Sequence, residues 1–387
     1  MSRLKKTSND LLNGLFCVVS IFLLSFGMRM LLPFGSEPDF LHRIDEILYP
    51  ETYSGFNFLH TLFSNYVWSP SCNVIAPINS FGNSISNFSC GETYDLKLLR
   101  YVIYISYVVM LLFVFALLRT INKVKGLDFL IEIERIKAVI IALLFPSMIY
   151  YLGVAALESI TLFLSLLIYV FISRFAVVFL LMLIIFNIDP GSAIVVSGFV
   201  LLRNIVVEYN AKFKTKMIIS LLICSLCFVV GIEMLTMLFS IPILGSIASV
   251  IYEHYTEIYT DVATKYPLIL RPFVTFMTGV FMTSDGVKSI IALLLSFLAF
   301  CNLIYKSYLV NEFSGFGNKR SLELLAVVAF ILSFSFVLPG YTNAKYYIFL
   351  LPAIMLSSIN LFGLSKVILF NFAMSCLVLF TLLHARM

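Results

Sequence analysis

Apolar runs of about twenty residues recur along almost the whole chain, and no other feature restricts its fold so tightly. A helix rises about 1.5 Å per residue, so about 20 residues cross the ~30 Å hydrocarbon core of a bilayer. Runs that meet or approach this length lie near 11–32, 99–118, 138–155, 159–173, 175–188, 191–207, 217–240, 287–305, 322–339, 346–363 and 366–383. Soluble chains are about half apolar and about a quarter charged, whereas this one is 61% hydrophobic and 12% charged. A chain of 387 residues cannot hide that much apolar surface from water, so lipid must be its solvent. The expected fold is all-α: a polytopic membrane helix bundle of about eleven transmembrane helices, one integral membrane domain over residues 1–387.

The N-terminal MSRLKK followed by LLNGLFCVVSIFLLSF has the outline of a secretory signal, but no A-x-A-like cleavage site follows, so it reads as an uncleaved first span. Cytoplasmic segments collect Lys and Arg. Placing the N-terminus in the cytoplasm puts 17 of the 26 basic residues on that side, and the reverse orientation inverts the bias. A net charge of +5 is therefore a matter of topology, and nucleic acid is not an expected partner. This orientation exposes two long loops on the extracytoplasmic side, 34–98 and 241–286, both rich in aromatic residues, together with most of the acidic side chains. Loops of such length in a compact protein are usually functional or disordered, and the aromatic content argues for order.

Of the seven cysteines, Cys17, Cys224, Cys227, Cys301 and Cys376 fall in apolar segments, where Cys packs as a small hydrophobe. Cys72 and Cys90 both fall in the first long loop, and in an oxidising compartment they are expected to form a disulfide worth about 3 kcal/mol. No metal-ligand spacing and no glycine-rich phosphate loop appears. The sequence requires no cofactor and leaves a divalent cation open.

The densest ionisable cluster is PFGSEPDFLHRIDEI, residues 33–47, at the mouth of the first span. It sets Glu37, Asp39, His42 and Arg43 close behind Arg29. A buried arginine needs a partner, so one reading is an interfacial salt bridge to a nearby acid. The other makes Asp39 or Glu37 a general base, its pKa raised by apolar surroundings and lowered by the arginine; Asp39 is favoured. Glu158 lies at the turn after FPSMIYYLG, solvated or functional. Asp189, ahead of Pro190, is placed to cap the next helix or to meet a substrate. His254, Arg271 and Lys345 complete the extracytoplasmic set, and the two cations suit an anion as well as they suit snorkelling at helix ends.

Three stretches, FGMRMLLPFGSEPDFLHRI, FPSMIYYLGVAALES and PGYTNAKYYIFLLPAI, together resemble the membrane glycosyltransferases of the GT-C superfamily, and within it the EpsG-like and Wzy-like polysaccharide polymerases. The chain departs from that pattern at Glu158, where the family often has Arg. The resemblance implies a bacterial inner-membrane enzyme with a periplasmic active face. It also implies a polyprenyl-linked sugar or oligosaccharide as substrate, and polysaccharide export or chain-length machinery as partners. Asp39 or Glu37 would then be the catalytic base, with Arg29, His42, Arg43, Glu158, Asp189, His254, Arg271 and Lys345 around the substrate. The rival class is a lipid-linked oligosaccharide flippase, which needs charge along a path through the midplane. The predicted spans look almost free of charge, with Glu233 the main exception.

Overall fold

The computed structural model describes residues 2–31, 96–125, 132–154, 157–239, 276, 290–315, 317–337 and 345–384. Among them the backbone is helical, with no strand. The helices are α1 (Ser2–Leu31), α2 (Leu96–Lys125), α3 (Ile133–Ala142), α4 (Pro146–Leu152), α5 (Leu157–Val170), α6 (Phe175–Ile188) and α7 (Pro190–Arg203). A π-turn, Asn204–Glu208, extends α7 and is followed by α8 (Phe213–Phe239), α9 (Ile290–Ser314), α10 (Lys319–Val337), α11 (Lys345–Ile348), α12 (Leu351–Phe362) and α13 (Leu364–His384).

Each of the eleven apolar runs contains helix among its described residues, though 143–145, 153–154, 171–173, 349–350 and 363 are turns or breaks within them. Among the described residues, four stretches are long and apolar enough to cross a membrane: Leu12–Met30, Tyr101–Ile121, Gly191–Glu208 and Leu294–Ser314. The pair α3 and α4, bent by 87°, makes a fifth if it counts as one span. The helices α5 and α6 have 14 residues each, about 21 Å of rise against a core of about 30 Å. The long loops 34–98 and 241–286 lie outside the described residues, except for 96–98, which begin α2, and Phe276, which packs on Phe300 and Tyr347.

Two compact units make up the chain, one of Met1–Val196 with Asn371–Met387, the other of Ser197–Phe370. In the first, α1 packs on α2 and α4, and α5 packs on α3, α4 and α6. The core is the break between α3 and α4, where every residue from 141 to 150 is buried. Pro146 causes it. Its ring carries no N–H and disfavours a helical residue before it, and Phe145 is extended at φ −74°, ψ 138°. The turn tightens through Leu144 N–H to Ile141 O at 3.1 Å and Phe145 N–H to Ala142 O at 3.0 Å, so the carbonyls of Leu143 and Leu144 gain no helical partner.

Side chains from other helices meet those carbonyls. The Tyr104 hydroxyl of α2 donates to Leu143 O. The Ser375 hydroxyl of α13 donates to Leu144 O at 2.7 Å, and Asn371 Nδ2 reaches Ile141 O at 3.5 Å. Broken helices survive in lipid only when neighbours re-satisfy the freed backbone groups. Gly27 lets α13 come close to α1: a Cβ there would meet Leu379 Cδ1 at 3.3 Å. The outer face of α6 (Phe175, Phe179, Leu180, Leu183, Phe186) is exposed and suits lipid, while Val178, Ile185 and Ile188 face inward.

In the second unit α10 is central, packed against α8, α9, α12 and the π-turn. Val207, Phe213 and Leu322 form one apolar cluster, and Cys224 Sγ accepts from Ser333 Oγ at 3.3 Å. These two contacts make α8 and α10 run parallel. Phe199, Phe330 and Phe349 stack edge to face at 5.5–6.2 Å. The turn into α10 is built on Asn311, whose Oδ1 accepts from Asn318 N–H at 2.8 Å and Ser321 Oγ at 2.6 Å. Asn318 then caps α10 through Arg320 N–H at 3.0 Å. Cys17, Cys224, Cys227, Cys301 and Cys376 are free thiols; Cys72 and Cys90 lie outside the described residues.

Replacing Ser375 with Ala strips Leu144 O of its donor and should lower the unfolding free energy by about 0.6–1.7 kcal/mol, the range for hydrogen bonds between membrane helices. Unfolding titrated with denaturing detergent reads this directly. An unchanged midpoint would mean the hydroxyl does not hold the break.

Candidate functional site

Arg29 sits two residues before the end of α1 and is 2% exposed. Burying a guanidinium in an apolar bundle is costly unless its donors are met. Nη1 donates to Tyr150 O at 3.3 Å and Nη2 to Gly153 O at 3.5 Å. Its Cζ lies 5.4 Å from the Tyr150 ring centroid, within cation–π range. Both carbonyls belong to the C-terminal end of α4, which Gly153 closes. Helix C-termini carry partial negative charge, so an arginine there stabilises the end of the half-helix. The first and second of the three stretches singled out in the sequence thus meet: FGMR on α1 touches IYYLG on α4.

Three tyrosines extend this junction. Tyr101, Tyr104 and Tyr107 share one face of α2 at three-residue spacing. Tyr101 donates to Phe22 O on α1 at 3.1 Å, Tyr104 to Leu143 O, and Tyr107 pairs with Ser159 Oγ at 3.2 Å. One helix face therefore ties α1, the break and the first turn of α5 together. The sequence did carry this signal: in RYVIYISYVV the hydroxyl-bearing rings recur every third residue of an otherwise apolar span. Ser159 follows Glu158, whose backbone lies in the first turn of α5.

The other expected site residues divide as follows. Asp189 caps α7: Ser192 N–H reaches its Oδ1 at 3.2 Å and Ser192 Oγ its Oδ2 at 2.6 Å. Lys345 begins α11 in the second unit. The side chains of Glu158, Lys345 and Glu233 lie outside the described residues, as do Glu37, Asp39, His42, Arg43, His254 and Arg271 altogether. Among the described residues no three His, Cys, Asp or Glu side chains converge on a metal position.

The second unit corrects the view of spans almost free of charge. Arg203 and Glu323, both inside predicted spans, are each 1% exposed and face each other. Glu323 Oε1 accepts from Arg203 Nε at 3.1 Å and Nη2 at 2.8 Å. Arg203 Nη1 also donates to Glu208 Oε1 at 2.8 Å and Asn204 Oδ1 at 3.1 Å. Lys319 Nζ closes the series on Glu208 Oε2 at 2.6 Å. Charges alternate in sign from the buried Glu323 to the exposed Lys319, so each is neutralised by the next. The π-turn makes this geometry: Tyr209 N–H bonds Asn204 O at 3.3 Å, the i→i+5 closure that often marks a functional site in a helix.

No protein-family model, curated protein or solved structure matches this chain. The functional reading therefore rests on residues and geometry.

Removing one partner of a buried ion pair costs about 3–5 kcal/mol because the other charge is left uncompensated, whereas replacing both by apolar groups costs far less. Glu323→Gln alone should therefore destabilise the protein more than the double change Arg203→Met with Glu323→Leu. Unfolding free energies of the single and double variants form the cycle that decides this. A double variant less stable than the single one would show that the pair itself, and not charge balance, holds the helices.

Proposed function

We propose that this chain is a membrane-embedded inverting glycosyltransferase that assembles a cell-surface polysaccharide from polyprenyl phosphate- or diphosphate-linked sugars. The observation that carries this reading is the buried Arg29 seated on the carbonyls of Tyr150 and Gly153. It joins two of the three stretches on which the resemblance to GT-C polymerases rests. In this reading the acidic first loop is delivered to a rigid junction on α4. Arg29, immobilised by α4 and the tyrosine face of α2, provides such a junction two residues before the described part of α1 ends.

In this reading the protein is a multi-pass protein of the bacterial inner membrane, N-terminus in the cytoplasm and about eleven crossings. The short α5 and α6 would cross where the bilayer is locally thin. The substrate's lipid tail lies between helices, and its sugar sits on the extracytoplasmic side. Asp39, with Glu37 as the second acid, takes the proton from the acceptor hydroxyl. The hydroxyl oxygen attacks the anomeric carbon from the face opposite the phosphate, so the bond to the phosphate oxygen breaks with inversion. Arg271, Lys345 and Arg43 hold the departing phosphate charge, and a single well-placed donor for such charge is worth about 3–4 kcal/mol. Arg29 acts as a positioning residue for the acidic segment behind it.

The buried Arg203–Glu323 pair favours one second reading, a lipid-linked oligosaccharide flippase, because intramembrane charges commonly mark transport paths. Its full internal neutralisation argues for a structural tie. Purified protein in detergent, supplied with lipid-linked oligosaccharide, separates the two, since only a transferase forms new glycosidic bonds there. Asp39→Asn should abolish polymer formation while expression is unchanged. Undiminished turnover by that variant would refute the enzyme assignment.

A further inference from the structure

Six cations gather at one end of the second unit, where α7 and α9 end and α8 and α10 begin: Arg203, Lys212, Lys214, Lys216, Lys319 and Arg320. Three carboxylates face them, and their pairings are fixed. Glu323 and Glu208 take Arg203, Glu208 takes Lys319, and Glu312 approaches Lys214 at 4.0 Å. Lys212 and Arg320 are exposed and hydrated, so neither needs a partner. Lys216 differs. It is 4% exposed, and no carboxylate among the described residues forms an ion pair with it. Its Nζ donates to Val207 O in the π-turn at 3.3 Å, one neutral acceptor for a group with three donors.

The charges that act on Lys216 do not settle the imbalance. Glu208 attracts it and Lys319 repels it, and Glu208 is already bound by both Arg203 and Lys319. A covered ammonium with no counter-ion of its own is unfavourable. An anion seated between Lys216 and the exposed cations would remove that cost. These cations lie at the ends of apolar helices, next to the candidate spans Gly191–Glu208 and Leu294–Ser314, where a bilayer crossed by those spans would bring its headgroups.

We infer that Lys216 is the centre of a binding site for the phosphodiester of an anionic lipid headgroup, with Lys319 at its rim. The exposed lysines draw such lipids generally, as basic juxtamembrane residues do, and the buried ammonium singles one out. The site is independent of the transferase reading, since it lies wholly within the second unit and uses none of the residues assigned to chemistry.

The test uses the full chain in nanodiscs of phosphatidylcholine alone or with phosphatidylglycerol. Retained lipid is counted by native mass spectrometry, and the melting temperature is read in parallel. Wild-type protein should retain one phosphatidylglycerol in preference to phosphatidylcholine and melt higher in its presence. Lys216→Met should lower that preference at least about fivefold, the worth of one basic group at a lipid surface, and Lys216→Arg should keep it. Lys214→Met, a change at a side chain 82% exposed, should lower it clearly less than Lys216→Met does. Equal losses in the Lys214 and Lys216 variants, or a wild type indifferent to phosphatidylglycerol, would overturn the proposal. So would stabilisation by inorganic phosphate in phosphatidylcholine discs with no preference for phosphatidylglycerol. Should Lys216→Met fail to fold, the wild-type comparison and the arginine variant still decide it.

Discussion

Lipid offers a backbone no hydrogen bonds, and the first unit is organised around the one place where its helix ladder is interrupted. Pro146 halts α3 and turns the chain by 87° into α4, stranding carbonyls in the middle of the bundle. Tyr104, Ser375 and Arg29 come from three other helices to meet the carbonyls of Leu143, Leu144, Tyr150 and Gly153. The packing follows from that requirement: α1, α2 and α13 must all lie against the break. Because the acceptors are backbone atoms, their positions are fixed to within the freedom of a buried turn. Arg29 is thereby held rigidly although it lies near a helix end.

The second unit meets the same demand with charge. Glu323 would be intolerable inside α10 without Arg203, and Arg203 would be intolerable without both its carboxylates. The π-turn swings Glu208 into reach of Arg203 and Lys319, so a local distortion of α7 serves an ion series that runs from the core to the surface. Buried pairs of this kind contribute little net stability compared with apolar packing. They do make alternative registers of α7 against α10 expensive, because any slip separates Arg203 from Glu323.

Helix positions were legible because twenty-residue hydropathy is a local property, and every marked run contains helix among its described residues. The break was legible too in part, since Phe145-Pro146 interrupts an apolar run. Short helices were legible as well: the runs 159–173 and 175–188 already fall below twenty residues in the sequence, and α5 and α6 have 14 residues each. The partners were hidden. Arg203 and Glu323 stand 120 positions apart, and Arg29 is 121 from Tyr150, so no window of sequence contains both. Their presence inside apolar runs was the available sign, and the tyrosine spacing on α2 was another. Asp189 shows the converse: its capping role followed from Asp-Pro-Gly-Ser alone because its partner, Ser192, is three residues away.

The transferase account depends on the acidic segment behind α1 being carried to the Arg29 junction on α4. Cross-linking in native membranes measures this most directly. In a chain freed of its own cysteines, Asp39→Cys would be paired with Val154→Cys, beside the Gly153 carbonyl that Arg29 holds. Gly27→Cys with Leu379→Cys, already in contact, would serve as the reference pair. The account predicts that 39 and 154 link as readily as the reference. A reference pair that links while 39 and 154 stay apart would contradict it.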